Sequence, residues 1–450
     1  MQLKPTLILS TIVAALGGFL FGFDTAVISG TTNWLTVEFS LSANSLGFTV
    51  ASAILGTILG AVIVGKPADI YGRNAVLFVL AAFYLISALG TALAWSWHSF
   101  IVFRFLGGIA VGGASVVSPM YISEIAPAPY RGRLVAITQV NIVFGMLVAY
   151  FSNYIISFFE LGEIEWRWMF GVEAIPAALF FLLLFLIPQS PRWLMAKKRE
   201  NEARTVLLKC GSDEGDIDAE LNRIRDSLDL THHSMSEPFF SKKYRVPILL
   251  AVMIAVFNQL SGINAVLYYA PHIFKMAGAG EGSALLQSVA VGGTFFFFTV
   301  LALPVIDRFG RKALMVCGSI GYIVSLAITA IAFYIYGSQF DQLGGTVVLA
   351  SILLFIAAHA FGQGTVIWVF ISEIFPNRLR ARGQALGSFT HWLMTFIISW
   401  TFPIIAEISG GHIFTFYALC MIGQFIWVIK VMPETKGVSL EHIQKRLRIE

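Results

Sequence analysis

The chain has 450 residues, of which 57% are apolar and only 12% are charged. A soluble domain carries roughly a quarter charged residues, so this composition and a mean hydropathy of +0.77 exclude a soluble globular protein. They also exclude a disordered chain, a collagen and a coiled coil. The three cysteines, Cys210, Cys317 and Cys420, are far apart and predict no disulfide framework. The composition indicates an integral membrane protein.

Twelve apolar segments are long enough to cross a bilayer, which takes about 20 residues per helix. They lie near residues 7–30, 45–66, 75–95, 100–122, 133–158, 168–188, 246–274, 283–306, 313–336, 346–371, 381–406 and 411–432. The first has no cleavage-like site and is expected to be retained rather than removed as a signal peptide. The one long polar stretch follows the sixth segment and shows helical charge patterning. We therefore predict an all-α membrane protein with an N-terminal six-helix half (1–188), a cytoplasmic helical linker (189–245), a C-terminal six-helix half (246–432) and a cytoplasmic tail (433–450).

The basic residues indicate one orientation in the membrane. With the N-terminus in the cytoplasm, all but three of the 30 Lys and Arg residues fall in cytoplasmic segments; Arg167 and Lys275 lie outside, and Arg104 lies in a span. This is the positive-inside pattern, and it predicts that both termini are cytoplasmic. The net charge of +4 therefore reflects topology rather than nucleic-acid binding. The chain has no Asn-x-Ser/Thr acceptor, which favours a bacterial inner membrane.

The two halves repeat each other in their cytoplasmic loops. An acid precedes a Gly-Arg pair after spans two and eight, and a Glu precedes an Arg by seven residues after spans four and ten: Asp69 and Arg73, Asp307 and Arg311, Glu124 and Arg131, Glu373 and Arg380. Duplicated halves are typical of transporters with a midplane binding site. We expect these charges to form a cytoplasmic gate through charge-assisted bonds. The alternative is ordinary membrane anchoring, although anchoring requires no acids.

Five motifs in chain order carry a resemblance to a known family. They are Gly18-Phe-Leu-Phe-Gly-Phe-Asp24, Arg104-Phe-Leu-Gly-Gly, Pro188-Gln-Ser-Pro-Arg192-Trp193, Gln259-Leu-Ser-Gly-Ile-Asn264 and Pro433-Glu-Thr-Lys-Gly. With them the sequence resembles the sugar porter family of the major facilitator superfamily over nearly the whole chain. The resemblance implies sugar transport by alternating access. It also implies that Arg192 and the linker helices join the cytoplasmic gate, where Gln189 replaces the usual Glu.

Asp24 in the first span and Arg104 in the fourth are charges at membrane depth. Each costs on the order of 3 kcal/mol at a helix centre on insertion scales, so the two are expected to meet. One interpretation is a static ion pair, although a buried pair often gains nothing over apolar packing. The other is a proton switch, in which Asp24 takes up a proton when it separates from Arg104. The resemblance favours the switch, since proton-coupled members carry Asp at this position and facilitators tend to carry Asn.

A cluster of amides and aromatic rings predicts a sugar site. Sugars offer hydroxyls to amides and an apolar face to aromatic rings. The candidates are Gln139 in span five, Asn258, Gln259 and Asn264 around Ser261-Gly262 in span seven, Trp368 in span ten, and His391 with Trp392 in span eleven. By resemblance, Gln139, Gln259, Asn264 and Trp368 fall on the family's sugar-contacting positions. The Ser-Gly pair is expected to loosen the helix of span seven.

The sequence departs from the family pattern around the pocket. Asn258 replaces the first of a usual Gln-Gln pair, Phe295 stands where an Asn is common, and His391 replaces an amide. These changes indicate a sugar with a different pattern of hydroxyl groups. The alternative, which the sequence supports equally, is that Phe295 only fills space and His391 imitates an amide. Tyr268 and Tyr269 are candidates for an external gate by resemblance, with a packing role as the alternative.

We therefore expect a proton-coupled importer of a hexose or pentose that acts as a monomer in the bilayer. The alternatives are an uncoupled sugar facilitator and, more remotely, a sugar receptor that does not transport. No metal-ligand spacing or catalytic arrangement of Ser, His and Asp stands out, so we expect no catalytic residues, no metal and no cofactor.

Overall fold

The computed structural model describes residues 4–127, 129–211, 217–233, 238–337, 339–376, 379–438, 443 and 447, apart from the side chains of residues 227, 229–233 and 307. Within this part, twelve helical spans are long and apolar enough to cross a bilayer. In chain order, spans 1 to 12 are Pro5–Gly30, Ala43–Ile63, Arg73–Ala92, Trp97–Ile125, Arg131–Ser157, Gly162–Leu186, Lys242–Met276, Glu281–Ala302, Arg311–Tyr336, Gln342–Ile374, Arg380–Ile408 and Gly410–Lys430. The prediction of an all-α chain with twelve spans is confirmed.

Four of the spans contain a break or a change of helix type. Span 1 ends in the 3-10 turn Ile28–Gly30, and span 6 divides into Glu165–Gly171, Ala174–Leu183 and a final 3-10 turn. Span 7 divides into Arg245–Leu260 and Ile263–Met276, after a short 3-10 turn. Span 10 divides into Gln342–Phe361 and Gln363–Ile374. The break in span 7 falls at the predicted Ser261-Gly262 pair. Gly262 has a φ of +83°, a conformation that side chains with a Cβ rarely adopt.

Short helices connect the spans. Thr32–Glu38 follows span 1, Gly65–Tyr71 follows span 2, Ile306–Phe309 precedes span 9, and Pro191–Ala196, Glu200–Cys210 and Ile217–His233 lie between spans 6 and 7. Hydrogen bonds tie Pro191–Ala196 and Glu200–Cys210 to the N-terminal part of the chain. Trp193 Nε1 donates to the carbonyl of Asp69 at 3.1 Å, and Lys4 Nζ donates to the carbonyl of Leu208 at 2.7 Å.

The chain forms two compact units, each with its own core. Unit 1 comprises Met1–Asp24, Leu55–Met146 and Phe170–Glu237, and unit 2 comprises Thr25–Ile54, Leu147–Met169 and Pro238–Glu450. The core of unit 1 includes Leu77, Ala110, Phe180, Leu194 and Leu207, so span and linker helices share it. The core of unit 2 includes Ile254, Met315, Ile367, Phe370 and Val428.

Small residues let spans 2 and 4 approach closely within unit 1. A Cβ placed on Gly56 would lie 2.0 Å from the carbonyl oxygen of Phe105, and one on Gly60 would lie 2.3 Å from that of Ile109. The Gly56/Gly60 spacing therefore provides the close helix contact that such pairs allow in membranes.

The duplication is visible in local geometry as well as in sequence. Gly72 separates the short helix after span 2 from span 3 with φ +97° and ψ 155°. Gly310 separates the short helix after span 8 from span 9 with φ +89° and ψ 162°. Because both positions require a positive φ, the same turn recurs in each half.

Candidate functional site

The two predicted intramembrane charges meet in unit 1. Arg104 Nη1 donates to Asp24 Oδ1, and Nη2 lies 3.4 Å from the Asp24 carbonyl oxygen. Asp24 is 3% exposed and Arg104 1% exposed, so both charges are removed from solvent. The guanidinium also lies 5.4 Å from the ring centroid of Phe170. Its Nε has no hydrogen-bond partner within the described part of the chain. One arginine therefore makes its charged contact with a single carboxylate.

A second buried carboxyl group lies close to this pair. Glu173 in span 6 is 2% exposed and interacts electrostatically with both Asp24 and Arg104. The sequence analysis did not assign Glu173 to this cluster, so its part was missed. The signal was present, because an ionisable residue inside a span is costly and indicates function. Two acids and one base therefore share this site.

Three amides of span 7 form a connected network in unit 2. Gln259 is central: its Nε2 donates to Asn258 Oδ1 at 3.0 Å, and its Oε1 accepts from Asn264 Nδ2 at 2.9 Å. Asn264 Nδ2 also lies 3.3 Å from the Thr395 hydroxyl in span 11. Ser261 Oγ donates to the Asn258 carbonyl at 2.6 Å, which satisfies an acceptor released by the helix break. The structure thus brings the predicted amides together, and it adds Thr395, which the sequence did not single out.

Aromatic rings border this network. The His391 ring lies with its two nitrogens 3.3 and 3.4 Å from Gln259 Nε2. Its centroid is 5.3 Å from the ring of Trp368 and 5.1 Å from that of Trp392. Gln384 Nε2 holds the Trp368 backbone by donating to its carbonyl at 3.0 Å. The site therefore combines amides with an indole surface, as a carbohydrate requires.

Two predicted sugar contacts lie outside this network. Gln139 is half-buried in span 5 and belongs to unit 1, where it has no hydrogen-bond partner among the described residues. Phe295 in span 8 is buried and packs edge-on against His359 at a centroid distance of 5.7 Å. His359 in turn shares a 2.6 Å hydrogen bond with the Tyr322 hydroxyl. Phe295 thus contacts His359 rather than the amides.

The predicted external-gate tyrosines are both buried in span 7. Tyr269 donates its hydroxyl to the Ser399 carbonyl at 2.9 Å and stacks on Phe402 at 4.9 Å. Its φ of −123° and ψ of 19° depart from helical values just before Pro271. Tyr268 is 5% exposed. Both residues thus lie at a bend of the helix.

Two predicted cytoplasmic-gate residues of unit 1, Asp69 and Glu124, cluster around a third, Arg73. Its guanidinium contacts Glu124 Oε1 at 2.9 Å and Asp69 Oδ1 at 3.1 Å, and it donates to the Ala68 carbonyl at 2.9 Å. Ser190 Oγ donates to the other oxygen of Glu124. The pairing therefore joins the loop after span 2, the end of span 4 and the start of the linker.

The equivalent cluster of unit 2 surrounds Arg311. Its guanidinium makes two bonds with Glu373, at 2.7 and 3.1 Å, and Thr435 Oγ1 donates to Glu373 at 2.6 Å. Glu434 accepts from the backbone N–H groups of Arg311 and Lys312 at 3.0 and 2.9 Å. The sequence offered Pro433-Glu-Thr as a motif but gave no role to Glu434 or Thr435.

Three predicted gate residues are not brought into these clusters by any contact within the described part of the chain, and a fourth cannot be placed. Arg131 is exposed at the start of span 5, Arg192 is half-buried in the helix Pro191–Ala196, and Arg380 is half-buried with an unpartnered Nε at the start of span 11, all within the described part. Asp307 lies in the helix Ile306–Phe309, and its side chain is outside the described residues. Each glutamate therefore pairs with the Gly-Arg arginine rather than with the arginine seven residues later.

An open cleft of about 620 Å³ lies elsewhere in unit 2. Its lining includes Trp34, Tyr154, Glu165 and Glu281, and none of the predicted sugar contacts. The residues that the structure describes contain no group of three or more His, Cys, Asp or Glu side chains able to hold a metal ion.

A family model described as "Sugar (and other) transporter" matches residues 10–447. The chain belongs to this sugar transporter family. Two relatives are the D-xylose-proton symporter of Escherichia coli strain K12, 39% identical over 96% of this chain and 94% of the relative, and the arabinose-proton symporter of Bacillus subtilis strain 168, 35% identical over 97% and 94%. The prediction of a transporter rather than an enzyme is confirmed.

The fold of this sugar transporter is similar to that of a solved relative. The proton:xylose symporter of the major facilitator superfamily, solved with 6-bromo-6-deoxy-D-glucose, matches with a TM-score of 0.78. It is 37% identical, and the match covers 98% of this chain and 99% of the solved chain. The predicted major facilitator superfamily fold is confirmed, whereas the division at residues 188 and 246 stays a prediction, since the two compact units also take segments from both sides of it.

Proposed function

We propose that this chain is a proton-coupled importer of a monosaccharide that works by alternating access. The observation that carries the proposal is the buried Asp24–Arg104 pair with Glu173 beside it. The relatives named as D-xylose-proton and arabinose-proton symporters support both the cargo and the coupling ion. We place the protein as a monomer in a bacterial inner membrane with both termini in the cytoplasm.

The proton site is proposed to work by charge exchange. With both acids ionised, Asp24, Glu173 and Arg104 carry one uncompensated negative charge away from water, which is unfavourable. One proton on either carboxyl removes that charge. When Arg104 is engaged by Asp24, the carboxylate form of Asp24 is stabilised; when the two separate, protonation becomes favourable. Proton uptake is thereby tied to helix movement.

The sugar site is proposed to be built on the span 7 network. Gln259 is held by its neighbours, so Asn258 Nδ2 and Asn264 Oδ1 are the amide atoms left to meet sugar hydroxyls. Trp368 would cover an apolar sugar face, while His391, Trp392 and Phe295 shape the site. Gln139 remains a predicted contact.

The charge clusters are proposed to act as cytoplasmic latches during the cycle. The members are Asp69, Arg73, Glu124, Arg131, Arg192, Asp307, Arg311, Glu373 and Arg380. Within each half, a buried arginine bonded to a glutamate from another helix can hold a loop in one arrangement. Tyr268 and Tyr269 are proposed for the external gate, since they lie at the bend of span 7.

The proposal is tested by sugar uptake in proteoliposomes. Purified protein would be reconstituted and supplied with radiolabelled D-xylose, L-arabinose, D-glucose, D-galactose and D-fructose, with and without an inward proton gradient. We expect the gradient to drive accumulation of at least one sugar. Asp24→Asn should retain sugar exchange but lose gradient-driven accumulation, because its amide takes up no proton.

The control variant is Asp341→Asn, which makes the same chemical change at the start of span 10. Asp341 caps a helix by accepting from the Gly344 N–H at 2.7 Å, and Asn caps equally well. This variant should accumulate sugar like the wild type. Wild-type protein that equilibrates sugar but ignores the gradient would instead be an uncoupled facilitator, with a structural Asp24–Arg104 pair.

A further inference from the structure

Span 10 is broken at Gly362, which separates a first segment ending at Phe361 from a second segment beginning at Gln363. Gly362 has a φ of −90° and a ψ of −107°, so it belongs to neither helix. Span 9 packs directly on the break, since a Cβ on Gly318 would lie 2.8 Å from Gly362 Cα. Residues 342–375 contain no proline, a common cause of a helix kink. Glycine permits the break but does not fix its direction, so other contacts must orient the second segment.

A directed chain of hydrogen bonds starts at the first residue of this second segment. Gln363 Nε2 donates to Gln424 Oε1 of span 12, and Gln424 Nε2 donates to Ser319 Oγ of span 9 at 2.9 Å. Ser319 Oγ donates to the Met315 carbonyl at 2.7 Å. Because a carbonyl can only accept, the direction of every bond in the chain follows from this last one. Gln363, Gln424 and Ser319 are fully buried, so the chain ties the second segment to two other spans away from water.

This amide chain is better suited to setting an orientation than to stabilising the fold. Gln363 Oε1 is buried and has no hydrogen-bond partner among the residues that the structure describes. An unpartnered buried acceptor is destabilising, which offsets part of what the bonds contribute. Replacing both partners of a buried hydrogen bond by apolar groups of the same shape is often neutral. Apolar packing is non-directional, whereas hydrogen bonds have preferred angles.

The second segment carries Trp368, the indole that we propose covers the sugar. Trp368 follows Gln363 by five residues, which is a rotation of roughly 140° around a helix, so the two side chains face in different directions. With Gln363 held against spans 9 and 12, Trp368 faces span 11, where its ring centroid lies 5.3 Å from that of His391. Gln384 Nε2 of span 11 donates to the Trp368 carbonyl at 3.0 Å. A rotation of the second segment would therefore move the indole relative to the span 7 amide network.

We infer that Gln363 and Gln424 are positioning residues for sugar binding: their side-chain hydrogen bonds set the rotation of the second segment of span 10 and thereby the place of the Trp368 indole. Neither residue has to touch the sugar. The inference rests on the proposed function of Trp368. It extends the machinery of the sugar site to spans 9 and 12, which supply none of the predicted sugar contacts.

The principal test variant is Gln363→Leu/Gln424→Leu, which replaces both amides by apolar side chains of similar size. We expect its thermal unfolding in detergent at the wild-type temperature or above. Its affinity for radiolabelled D-xylose and L-arabinose, measured at constant pH, should nevertheless fall roughly three- to tenfold, as a weakened aromatic contact does. Gln424→Met interrupts the same chain with one unbranched side chain and should lower the affinity likewise. Unchanged affinity in both variants, or failure of both to fold, would overturn the inference.

The matched control is Thr329→Val/Ser351→Ala. Thr329 Oγ1 and Ser351 Oγ share a 2.8 Å hydrogen bond that also joins spans 9 and 10 in buried surroundings. Ser351 lies on the first segment of span 10, so this bond does not reach the helix that carries Trp368. The control should keep the wild-type sugar affinity. An equal loss in the control would indicate a general effect of packing between spans 9 and 10 and would also overturn the inference.

A second readout needs no sugar. In protein labelled with 5-fluorotryptophan, Trp368→Phe identifies the ¹⁹F signal of Trp368 among those of the ten tryptophans. We expect this signal to shift or broaden in Gln363→Leu/Gln424→Leu and to stay in place in the control. An unmoved signal in the test variant would contradict the inference even if the affinity fell. If neither sugar binds the wild-type protein, the proposed function fails for these sugars, and the ¹⁹F signal still decides whether the amide chain sets the place of the indole.

Discussion

At the scale of single residues, Glu173 should set the pH at which Asp24 operates. Its carboxylate lies in the same buried cluster as Asp24 and Arg104. Glu173→Gln removes one negative charge, so Asp24 would hold its proton less tightly. We expect the external pH of half-maximal uptake to move about one unit toward acid, which corresponds to roughly 1.4 kcal/mol of interaction. Uptake measured against external pH in proteoliposomes checks this.

Glu163→Gln is the control for that experiment, because Glu163 is exposed in the turn Gly162–Ile164. Its pH profile should match the wild type. A Glu173→Gln profile that is unchanged, or displaced toward alkaline pH, would contradict a shared proton site.

The sequence predicted contacts that the energetic cost of a buried charge requires. It missed contacts that depend on which way a side chain faces around its helix. Asp24 and Arg104 had to meet because each charge is costly at membrane depth. The place of Glu173 beside them was not predicted, because hydropathy locates a span only to within a few residues. A shift of two residues along a helix turns a side chain by more than half a revolution. Thr395 was missed because a threonine in a span usually bonds its own helix.

At the scale of elements, Glu434 should act as the cap of span 9. Although partial burial opposes it, the N–H groups of Lys436, Arg311, Lys312 and Thr435 hold the pKa of Glu434 below its ordinary value. Because that pKa is lowered on folding, the stabilisation is present at neutral pH and is lost as pH falls through the folded-state pKa, below about 4.5. Glu434→Gln should lower stability at pH 7 by about 1 kcal/mol and have little effect at acid pH.

The reverse substitution, from Gln to Glu, can be made at the start of span 3. There the corresponding side chain is Gln189, whose Oε1 lies 3.4 Å from the Asn74 N–H. Gln189→Glu would place a negative charge at this helix N-terminus, which is favourable. Thermal unfolding in detergent across pH should show Glu434→Gln destabilised and Gln189→Glu stabilised at pH 7. Equal effects of both substitutions at every pH would contradict charged capping.

The breaks within elements were only partly predictable. Ser261-Gly262 predicted the break in span 7 because glycine at a positive φ ends a helix. The break at Gly362 in span 10 was not predicted. There Gln363 Nε2 donates to Gln424 of span 12, and Gln424 donates to Ser319 of span 9 at 2.9 Å. Those partners come from distant parts of the chain, so no local pattern indicates them.

At the scale of the whole molecule, duplication explains why the sequence predicted so much. Each half carries a Gly-Arg turn whose arginine bonds a glutamate from the end of another span, Arg73 with Glu124 and Arg311 with Glu373. Two copies of one pattern indicate a constraint that a single copy would not. The repeat did not predict which arginine each glutamate contacts, since the seven-residue spacing suggested Arg131 for Glu124 and Arg380 for Glu373. Spacing along the chain reports recurrence, whereas pairing depends on how helices pack.

The asymmetry of basic residues makes a prediction for the orientation of the whole chain. If both termini are cytoplasmic, Glu163 lies outside the cell and Lys197 lies inside. Both side chains are exposed, so a cysteine at either position is accessible to reagent. In a background with Cys210, Cys317 and Cys420 replaced by Ser, a membrane-impermeant maleimide should label Glu163→Cys in intact cells. Lys197→Cys should react only after the membrane is opened. In this topology Lys197 lies on the same side as 27 of the 30 basic residues, and the side rich in basic residues faces the cytoplasm. Labelling with the opposite preference would invert the topology, and with it the direction in which Asp24 delivers its proton.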